Sequence, residues 1–266
     1  MNTAQTASDM SPLAFLQLAG HALRWRLLGE LARSDRTVLE LTELVGEPQN
    51  LVSYHLAKLR GGQLVSARQS AADRRDSYYA LDLARVGGRL AAAGAALHPG
   101  LRMTPTSRDG ARLGHARILF LCTGNSARSQ MAEALIKATS SGVIEAVSAG
   151  SQPKPLHPNA VRVMREEHGI DISGQASKHI DVFAGERFDW VISLCDRVRE
   201  VCPPFPGHPQ TVHWSMPNPA TGDADGVTYP LFQQAAAELV TRIEFLLSAL
   251  GEQTAAGPRK KTRRKP

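Results

Sequence analysis

The chain has 266 residues, of which 42% are hydrophobic and 21% are charged, and its formal net charge is +6. This length favours two domains, and the hydrophobic content is sufficient for packed cores. The sequence has no run of about 18 apolar residues, which argues against a membrane span, and its first residues lack the basic-then-apolar order of a signal peptide, so we expect a cytoplasmic protein.

The charge is unevenly distributed along the chain. Residues 1–115 carry 14 Lys and Arg against 10 Asp and Glu, residues 116–252 carry 11 against 15, and residues 253–266 carry 6 against none. A basic first block fits a nucleic-acid partner, and an acidic second block predicts that this part does not contact DNA. We expect residues 1–11 and the basic tail 253–266 to be disordered, and the tail to add nonspecific DNA affinity.

Residues 12–98 have the pattern of a winged helix-turn-helix domain. Apolar residues recur at helical spacing, Gly and Pro interrupt them, and two short strands follow. The predicted elements are helices over Pro12–Leu31, Val38–Val45 and Gln49–Arg60, and strands over Leu64–Arg68 and Ser77–Leu83. In this arrangement the second helix of the pair enters the major groove of DNA.

The predicted DNA contacts lie on that helix and on the wing. Short hydrogen-bonding side chains would read base edges, and cations would bind phosphates. The residues on the helix are Gln49, Asn50, Ser53, Tyr54 and Lys58. Arg74 and Arg75 lie at the predicted tip of the wing and would reach the backbone or the minor groove. A solvated helix and a charged turn are the alternative.

The run LVSYHLAKLRGGQLVSARQSAADRRDSYYALD resembles the ArsR/SmtB family of winged-helix repressors. The resemblance implies a homodimer that binds double-stranded operator DNA, with its first and last helices pairing. Arg85–Leu97, which is rich in Ala, fits such a last helix. Members that sense arsenic use cysteines in the helix before the recognition helix, and residues 38–44 contain none. The inducer therefore stays open.

Residues 99–115 are rich in Pro, Gly and polar residues and are predicted to be a linker. Residues 116–252 then alternate between strand and helix, which predicts an α/β domain with a four-stranded parallel sheet. The predicted strands are Arg117–Leu121, Val143–Ser148, Trp190–Leu194 and Thr211–Trp214. The predicted helices are Gln130–Ala138, Pro158–His168 and Thr228–Ala249.

The segment LCTGNSARS, residues 121–129, connects the first of these strands to a helix. Successive backbone N–H groups and the positive end of the helix would form an anion cradle there. The oxyanion-binding residues are Thr123, Gly124, Asn125, Ser126, Ala127 and Arg128. Arg128 adds a planar fork for two oxygens, and the same positive field favours Cys122 as a thiolate nucleophile. The alternative is a buried Cys before an ordinary glycine turn.

The runs ILFLCTGNSARSQMAEAL, VSAGS, VISLCDRVREVCP and HWSMPNPA resemble the low-molecular-weight protein tyrosine phosphatases, and among them the thioredoxin-coupled arsenate reductases. The resemblance implies that Cys122 attacks arsenate, that Arg128 and the loop amides hold it, and that Ser129 stabilises the thiolate. It also implies a thioredoxin-like external reductant and no required cofactor. A potassium site at Asn125, Glu133, Ser148 and Asp181 is a further implication, with ordinary loop and cap roles as the alternative.

The three cysteines also fit a thiol relay by their spacing. Cys195 and Cys202 follow a predicted buried strand and are expected on a loop before two prolines. Cys195 would attack the Cys122–arsenic adduct, and Cys202 would then attack Cys195. Two unrelated buried cysteines are the alternative.

Asn218 departs from the family pattern, in which an Asp at this position protonates the leaving oxygen. An amide cannot be a general acid, and such a proton transfer is typically worth about 10²–10⁴-fold. The favoured interpretation is therefore a bifunctional arsenic-resistance protein, a DNA-binding regulator fused to an arsenate reductase. The alternatives are a regulator whose second domain senses an oxyanion or redox state, and a low-molecular-weight tyrosine phosphatase.

Overall fold

The computed structural model describes residues 10–101, 114–221 and 225–255, and the chain divides into two compact units between residues 106 and 107. Each unit has its own hydrophobic core. The predicted disordered segments 1–11 and 253–266 and the predicted linker 99–115 lie largely outside the described residues. Within the described ranges, no helix is long and apolar enough to cross a membrane.

The first unit is a winged helix-turn-helix, as the sequence predicted. Its helices are α1 (Pro12–Ala19), α2 (Ala22–Arg33), α3 (Val38–Val45), α4 (Gln49–Gly61) and α5 (Leu83–Leu97). Its strands are β1 (Arg36–Thr37), β2 (Val65–Gln69) and β3 (Ser77–Leu81), and they form an antiparallel sheet in the order β1-β3-β2. Helices α3 and α4 are the helix-turn-helix pair, and β2 and β3 are the wing.

The start and end of α3 follow from local chemistry. The Thr37 side chain accepts a hydrogen bond from the Glu40 backbone N–H, and the Glu40 carboxylate accepts one from the Thr37 N–H, which forms a capping box. Gly46 ends the helix in the left-handed conformation with φ of 64°. The predicted start after Thr37 and break at Gly46 are therefore confirmed.

The single helix predicted over residues 12–31 is wrong, because the structure has two helices there. Gly20 ends α1, and His21 Nδ1 accepts a hydrogen bond from the Leu23 N–H at the start of α2. The break rotates the apolar stripe, so α1 buries Phe15 and Ala19. Leu13 and Leu16, which recur at helical spacing in the sequence, are 65% and 43% exposed. On α4, the helical spacing predicts that Leu51 faces inward, and this is wrong, because Leu51 is 38% exposed.

The second unit contains a four-stranded parallel sheet in the order β5-β4-β6-β7, as the sequence predicted. The strands are β4 (Ala116–Cys122), β5 (Ile144–Gly150), β6 (Trp190–Ser193) and β7 (Gln210–His213). The helices are α6 (Arg128–Thr139), α7 (Pro158–His168), α8 (Asp196–Val201) and α9 (Asp225–Ala255). Helix α8 lies where a loop was predicted between Cys195 and Cys202.

Strand β4 and helix α6 lie at the centre of this unit. Strand β4 is almost continuously buried, as expected for a parallel strand covered on both faces. The first nine residues of α6, from Arg128 to Ile136, are all buried. Strand β4 pairs with β5 up to Cys122–Gly150 and with β6 up to Leu121–Ser193. The carboxyl ends of these three strands therefore meet at one edge, where ligands bind in open α/β sheets.

Candidate active site

The turn from β4 into α6, residues 123–127, is shaped by Asn125. Asn125 is fully buried and has a φ of +44°, a left-handed conformation that Asn tolerates better than most residues. Its Nδ2 donates to Ser129 Oγ (3.0 Å) and Ser148 Oγ (2.9 Å), and its Oδ1 accepts from the Lys178 N–H (2.7 Å). These bonds fix the turn to α6, to β5 and to residue 178.

Gly150, at the end of β5, supports this turn from the side of the neighbouring strand. A Cβ atom at this position would lie 2.6 Å from Thr123 O, 2.7 Å from Asn125 N and 2.9 Å from Cys122 O. All three are backbone atoms, so the clash could not be relieved by a side-chain rotation. The turn therefore keeps its shape only above a residue without a side chain.

Cys122 is 2% exposed, and its Sγ lies 2.9 Å from Ser129 Oγ. Asn125 Nδ2 donates to Ser129 Oγ, which leaves the Ser129 hydroxyl hydrogen available to donate to a Cys122 thiolate. Helix α6 also begins without a side-chain cap, which leaves its first N–H groups for a ligand. A hydroxyl donor and a helix N-terminus both stabilise a thiolate.

Arg128 connects the turn to two other segments. It is 8% exposed, and its Nη1 donates to Met216 O (2.7 Å) and Leu194 O (3.3 Å). The guanidinium thus lies between the residue before Cys195 and the segment that leads to Asn218. Such a planar, multidentate cation is suited to the oxygens of a tetrahedral anion.

Cys195 follows β6 at the same edge of the sheet as Cys122. The Leu194 N–H donates to Leu121 O (2.7 Å), and the Cys195 Sγ lies 3.2 Å from Thr123 Oγ1. Cys195 is 5% exposed. The structure therefore brings the first two predicted relay cysteines to adjacent strand ends, and it adds a contact with Thr123 that sequence reasoning missed.

Cys202 lies at the opposite end of α8 from Cys195. Cys195 is the N-cap residue of this six-residue helix and Cys202 is its C-cap residue, which corrects the loop predicted between them. Cys202 is half-buried, and burial raises the pKa of its thiol. A rise of 1.5 Å per residue places the two Cα atoms roughly 10 Å apart along the helix. A disulfide needs about 4.4–6.8 Å, so α8 must unwind before these cysteines can be joined.

Asn218 is exposed and interacts mainly with its own loop. Its Nδ2 lies 3.5 Å from Ala220 O, and its Oδ1 lies 3.4 Å from Ala220 N. The Arg128 bond to Met216 O holds the preceding residues at the site. Of the two carboxylates that follow Asn218 in the sequence and could supply a proton instead, Asp223 lies outside the described residues and Asp225 begins α9.

The potassium site predicted at Asn125, Glu133, Ser148 and Asp181 stays a prediction. The Glu133 Oε1 atom lies 2.6 Å from Lys137 Nζ, whereas its Oε2 atom is buried without a hydrogen-bond partner and lies 3.8 Å from Lys178 Nζ. The Asp181 side chain is 79% exposed and lies 3.1 Å from His179. Asn125 and Ser148 bond to each other.

All the side chains of α4 that were predicted to contact DNA are exposed. They are Gln49, Asn50, Ser53, Tyr54 and Lys58. On the wing, Arg74 and Arg75 are both exposed. Asp73 forms a 2.6 Å ion pair with Arg75. Hydrogen bonds from the Arg75 side chain and backbone N–H lower the pKa of Asp73 to about 2. Arg74 is thus the better candidate for a phosphate contact.

Two families match the chain, one in each of its two compact units. The family described as low molecular weight phosphotyrosine protein phosphatase matches residues 117–256, and the family described as bacterial regulatory protein, arsR family, matches residues 22–67. An arsenate reductase of Brevibacillus brevis is 43% identical over 127 residues, which are 48% of this chain and 90% of that protein. An arsenate reductase of Halalkalibacterium halodurans is 40% identical over 128 residues, which are 48% of this chain and 91% of that protein.

One solved structure is described as an arsenate reductase in the phosphate binding state. It is 32% identical in sequence and covers 51% of this chain and 98% of its own, with a TM-score of 0.40.

Proposed function

The chain belongs to the low molecular weight phosphotyrosine protein phosphatase family and carries an ArsR-type domain ahead of that region, and from this we propose that it is a bifunctional arsenic-resistance protein. The ArsR-type domain would bind operator DNA, and the second domain would reduce arsenate. The observation that carries the proposal is the placement of the cysteines. Cys122 ends β4 directly before the turn that would bind the anion, Cys195 lies beside that turn, and Cys202 lies one short helix away.

The first chemical step uses the turn. Arg128 and the unpaired N–H groups of α6 hold the arsenate oxygens, and the Ser129 hydroxyl stabilises the Cys122 thiolate. The thiolate forms a bond to arsenic, and one arsenate oxygen leaves as water after it is protonated. Asn218 cannot supply that proton, but a protonated arsenate carries protons of its own.

The relay then transfers electrons to arsenic. The Cys195 thiolate attacks the Cys122 sulfur, the S–As bond breaks, and its electron pair remains on arsenic, which leaves as arsenite. The product is a Cys122–Cys195 disulfide. Cys202 next attacks Cys195 and expels the Cys122 thiolate, which gives a Cys195–Cys202 disulfide for an external dithiol such as a thioredoxin to reduce.

The test is multiple-turnover arsenate reduction with thioredoxin, thioredoxin reductase and NADPH. We expect steady NADPH oxidation by the intact chain and no reaction after Cys122→Ser. Cys202→Ser should give about one turnover and stop as a Cys122–Cys195 disulfide, identified by peptide mapping. Continued turnover by Cys202→Ser would contradict the order of the relay.

The exposed leucines of the first unit support a homodimer. Helix α1 packs against α5, and both helices present exposed apolar side chains, Leu13 at 65% and Leu97 at 76%. Exposed apolar residues on adjacent helices are suited to a second copy. Sedimentation should show a dimer that Leu97→Lys weakens, and a monomeric intact chain would contradict the proposal.

The regulatory signal would come from the second domain. All three cysteines of the chain lie at residue 122 or beyond, so thiols of the ArsR-type domain cannot bind arsenite. If arsenite releases DNA from the intact chain, the variant with all three cysteines replaced by Ser should keep its DNA. Release of DNA from that variant would contradict thiol sensing.

A sensor with little turnover is the second candidate, and Asn218 favours it. An exposed amide at the general-acid position leaves the oxyanion turn intact but weakens bond cleavage. This candidate predicts phosphate or arsenate binding without steady NADPH oxidation. A tyrosine phosphatase would instead hydrolyse aryl phosphates rapidly and would need neither Cys195 nor Cys202.

A further inference from the structure

Beneath Cys195 lies a network of buried polar side chains that the relay does not use. Asp196 Oδ1 accepts hydrogen bonds from Ser215 Oγ (2.7 Å) and His213 Nε2 (3.1 Å), and His213 Nδ1 lies 2.8 Å from Ser193 Oγ. These four side chains are between 1% and 7% exposed. Because buried polar groups are costly when unpaired, a connected set of this kind holds one arrangement of the chain.

The network holds the chain on both sides of Cys195. Ser193 ends β6 two residues before the cysteine, and Asp196 begins α8 directly after it. Both side chains bond to His213, the last residue of β7, whose backbone is paired with Ser193. The main chain at Cys195 is therefore fixed to β7 while its sulfur lies beside Thr123.

The other end of α8 is more exposed, although Cys202 packs against the edge of the core. Val201, the last residue of the helix, is 60% exposed, and Cys202 is half-buried. Since the two cysteines can be joined only if α8 unwinds, the difference between its ends decides which cysteine moves. A helix held at its first turn and loose at its last turn unwinds from the last turn.

We propose that Asp196, His213 and Ser215 are positioning residues that keep Cys195 beside Cys122 while Cys202 moves to Cys195. This inference rests on the proposed arsenate reduction. In the first exchange, the fixed Cys195 thiolate forms the S–S bond with Cys122 as the S–As electron pair passes to arsenic. In the second exchange, Cys202 arrives from the unwound helix and forms the S–S bond with Cys195 as the Cys122 thiolate leaves.

The test uses the full chain with Cys202→Ser, so that only the first exchange occurs. Three quantities are measured: single-turnover arsenite release, formation of the Cys122–Cys195 disulfide by the oxidant diamide, and the Kd of inorganic phosphate. Asp196→Ala removes the acceptor of two buried hydrogen bonds and should slow the first two processes about tenfold or more. The phosphate Kd, which reports only on the oxyanion turn, should change less than about twofold.

Two further variants separate positioning from general damage. Asp196→Asn keeps an acceptor oxygen for His213 and Ser215 and should restore both rates to within about threefold of the parent chain. Glu200→Ala changes an exposed residue of the same helix and should leave all three quantities unchanged. Ser215→Ala removes one hydrogen-bond donor to Asp196, so it should slow arsenite release and disulfide formation less than Asp196→Ala does. If Asp196→Ala does not fold, Ser215→Ala takes its place in the test.

The outcomes separate the inference from the proposed function. Unchanged arsenite release and unchanged disulfide formation in folded Asp196→Ala would overturn the positioning role. An equal loss of phosphate affinity would also overturn it, because the network would then support the whole site. If the parent chain releases no arsenite but Asp196→Ala still slows diamide-driven disulfide formation and Asp196→Asn restores it, positioning stands and arsenate reduction fails.

Discussion

Weakening α8 should favour the Cys195–Cys202 disulfide, because that disulfide and the helix exclude each other. The two cysteines cap opposite ends of a six-residue helix. Their Cα atoms lie roughly 10 Å apart along it, from the rise of 1.5 Å per residue, and a disulfide needs them within about 7 Å. The reduced state therefore contains the helix and the oxidised state does not.

Glu200 offers a clean way to change helix stability, since it is exposed and lies in the last turn of α8. Gly in a helix is about 1 kcal/mol less favourable than Ala. Glu200→Gly should thus destabilise the reduced state relative to Glu200→Ala by this amount, which is about fivefold in the redox equilibrium constant. The reduction potential of the Gly variant should be about 20 mV more negative.

The assay is a glutathione redox titration in a Cys122→Ser background, in which Cys195 and Cys202 are the remaining cysteines of the sequence. The Gly and Ala variants are compared with each other, so that loss of the Glu200 carboxylate cancels. Equal potentials, or a less negative potential for the Gly variant, would refute the unwinding of α8.

Three further perturbations test other parts of the site. Asn218→Asp should raise aryl-phosphate hydrolysis by up to about 10²-fold and arsenate reduction much less, and unchanged rates would place the acid elsewhere. Because burial raises the pKa of the Cys202 thiol, its attack on Cys195 should speed up about tenfold per pH unit between about pH 6 and 8 in stopped-flow measurements, and a flat profile would contradict this. Arg74→Ala should weaken binding to duplex DNA and lower the salt slope by about one. Arg75→Ala should do less, since Asp73 already pairs with it, and equal effects would refute the distinction.

Local sequence predicted much of this architecture correctly. The apolar run of β4 followed by small residues and a helical pattern predicted the strand, the turn and α6 in the right order. The capping residue Thr37 and the terminator Gly46 placed α3 correctly, because both act within one helical turn. The alternation of strands and helices predicted the parallel sheet because parallel strands need crossover connections, which are usually helices.

The remaining features depend on neighbours that are distant in sequence. Periodicity alone could not show that Gly20 divides the first helix and turns Leu13 and Leu16 outward. Nor could it show that Asp73 engages Arg75, or that two lysines face Glu133. Helix α8 was missed because six residues between two cysteines give too short a pattern to distinguish a helix from a loop.

A substitution at Gly150 would disrupt the second compact unit alone. A methyl group there would meet three backbone atoms of the oxyanion turn at 2.6–2.9 Å, and residue 150 belongs to the second compact unit. Gly150→Ala is therefore a natural separation-of-function allele, one in which the turn is disrupted while every residue of the ArsR-type domain is retained. Cells that carry it would reveal how much of an arsenic phenotype comes from repression alone.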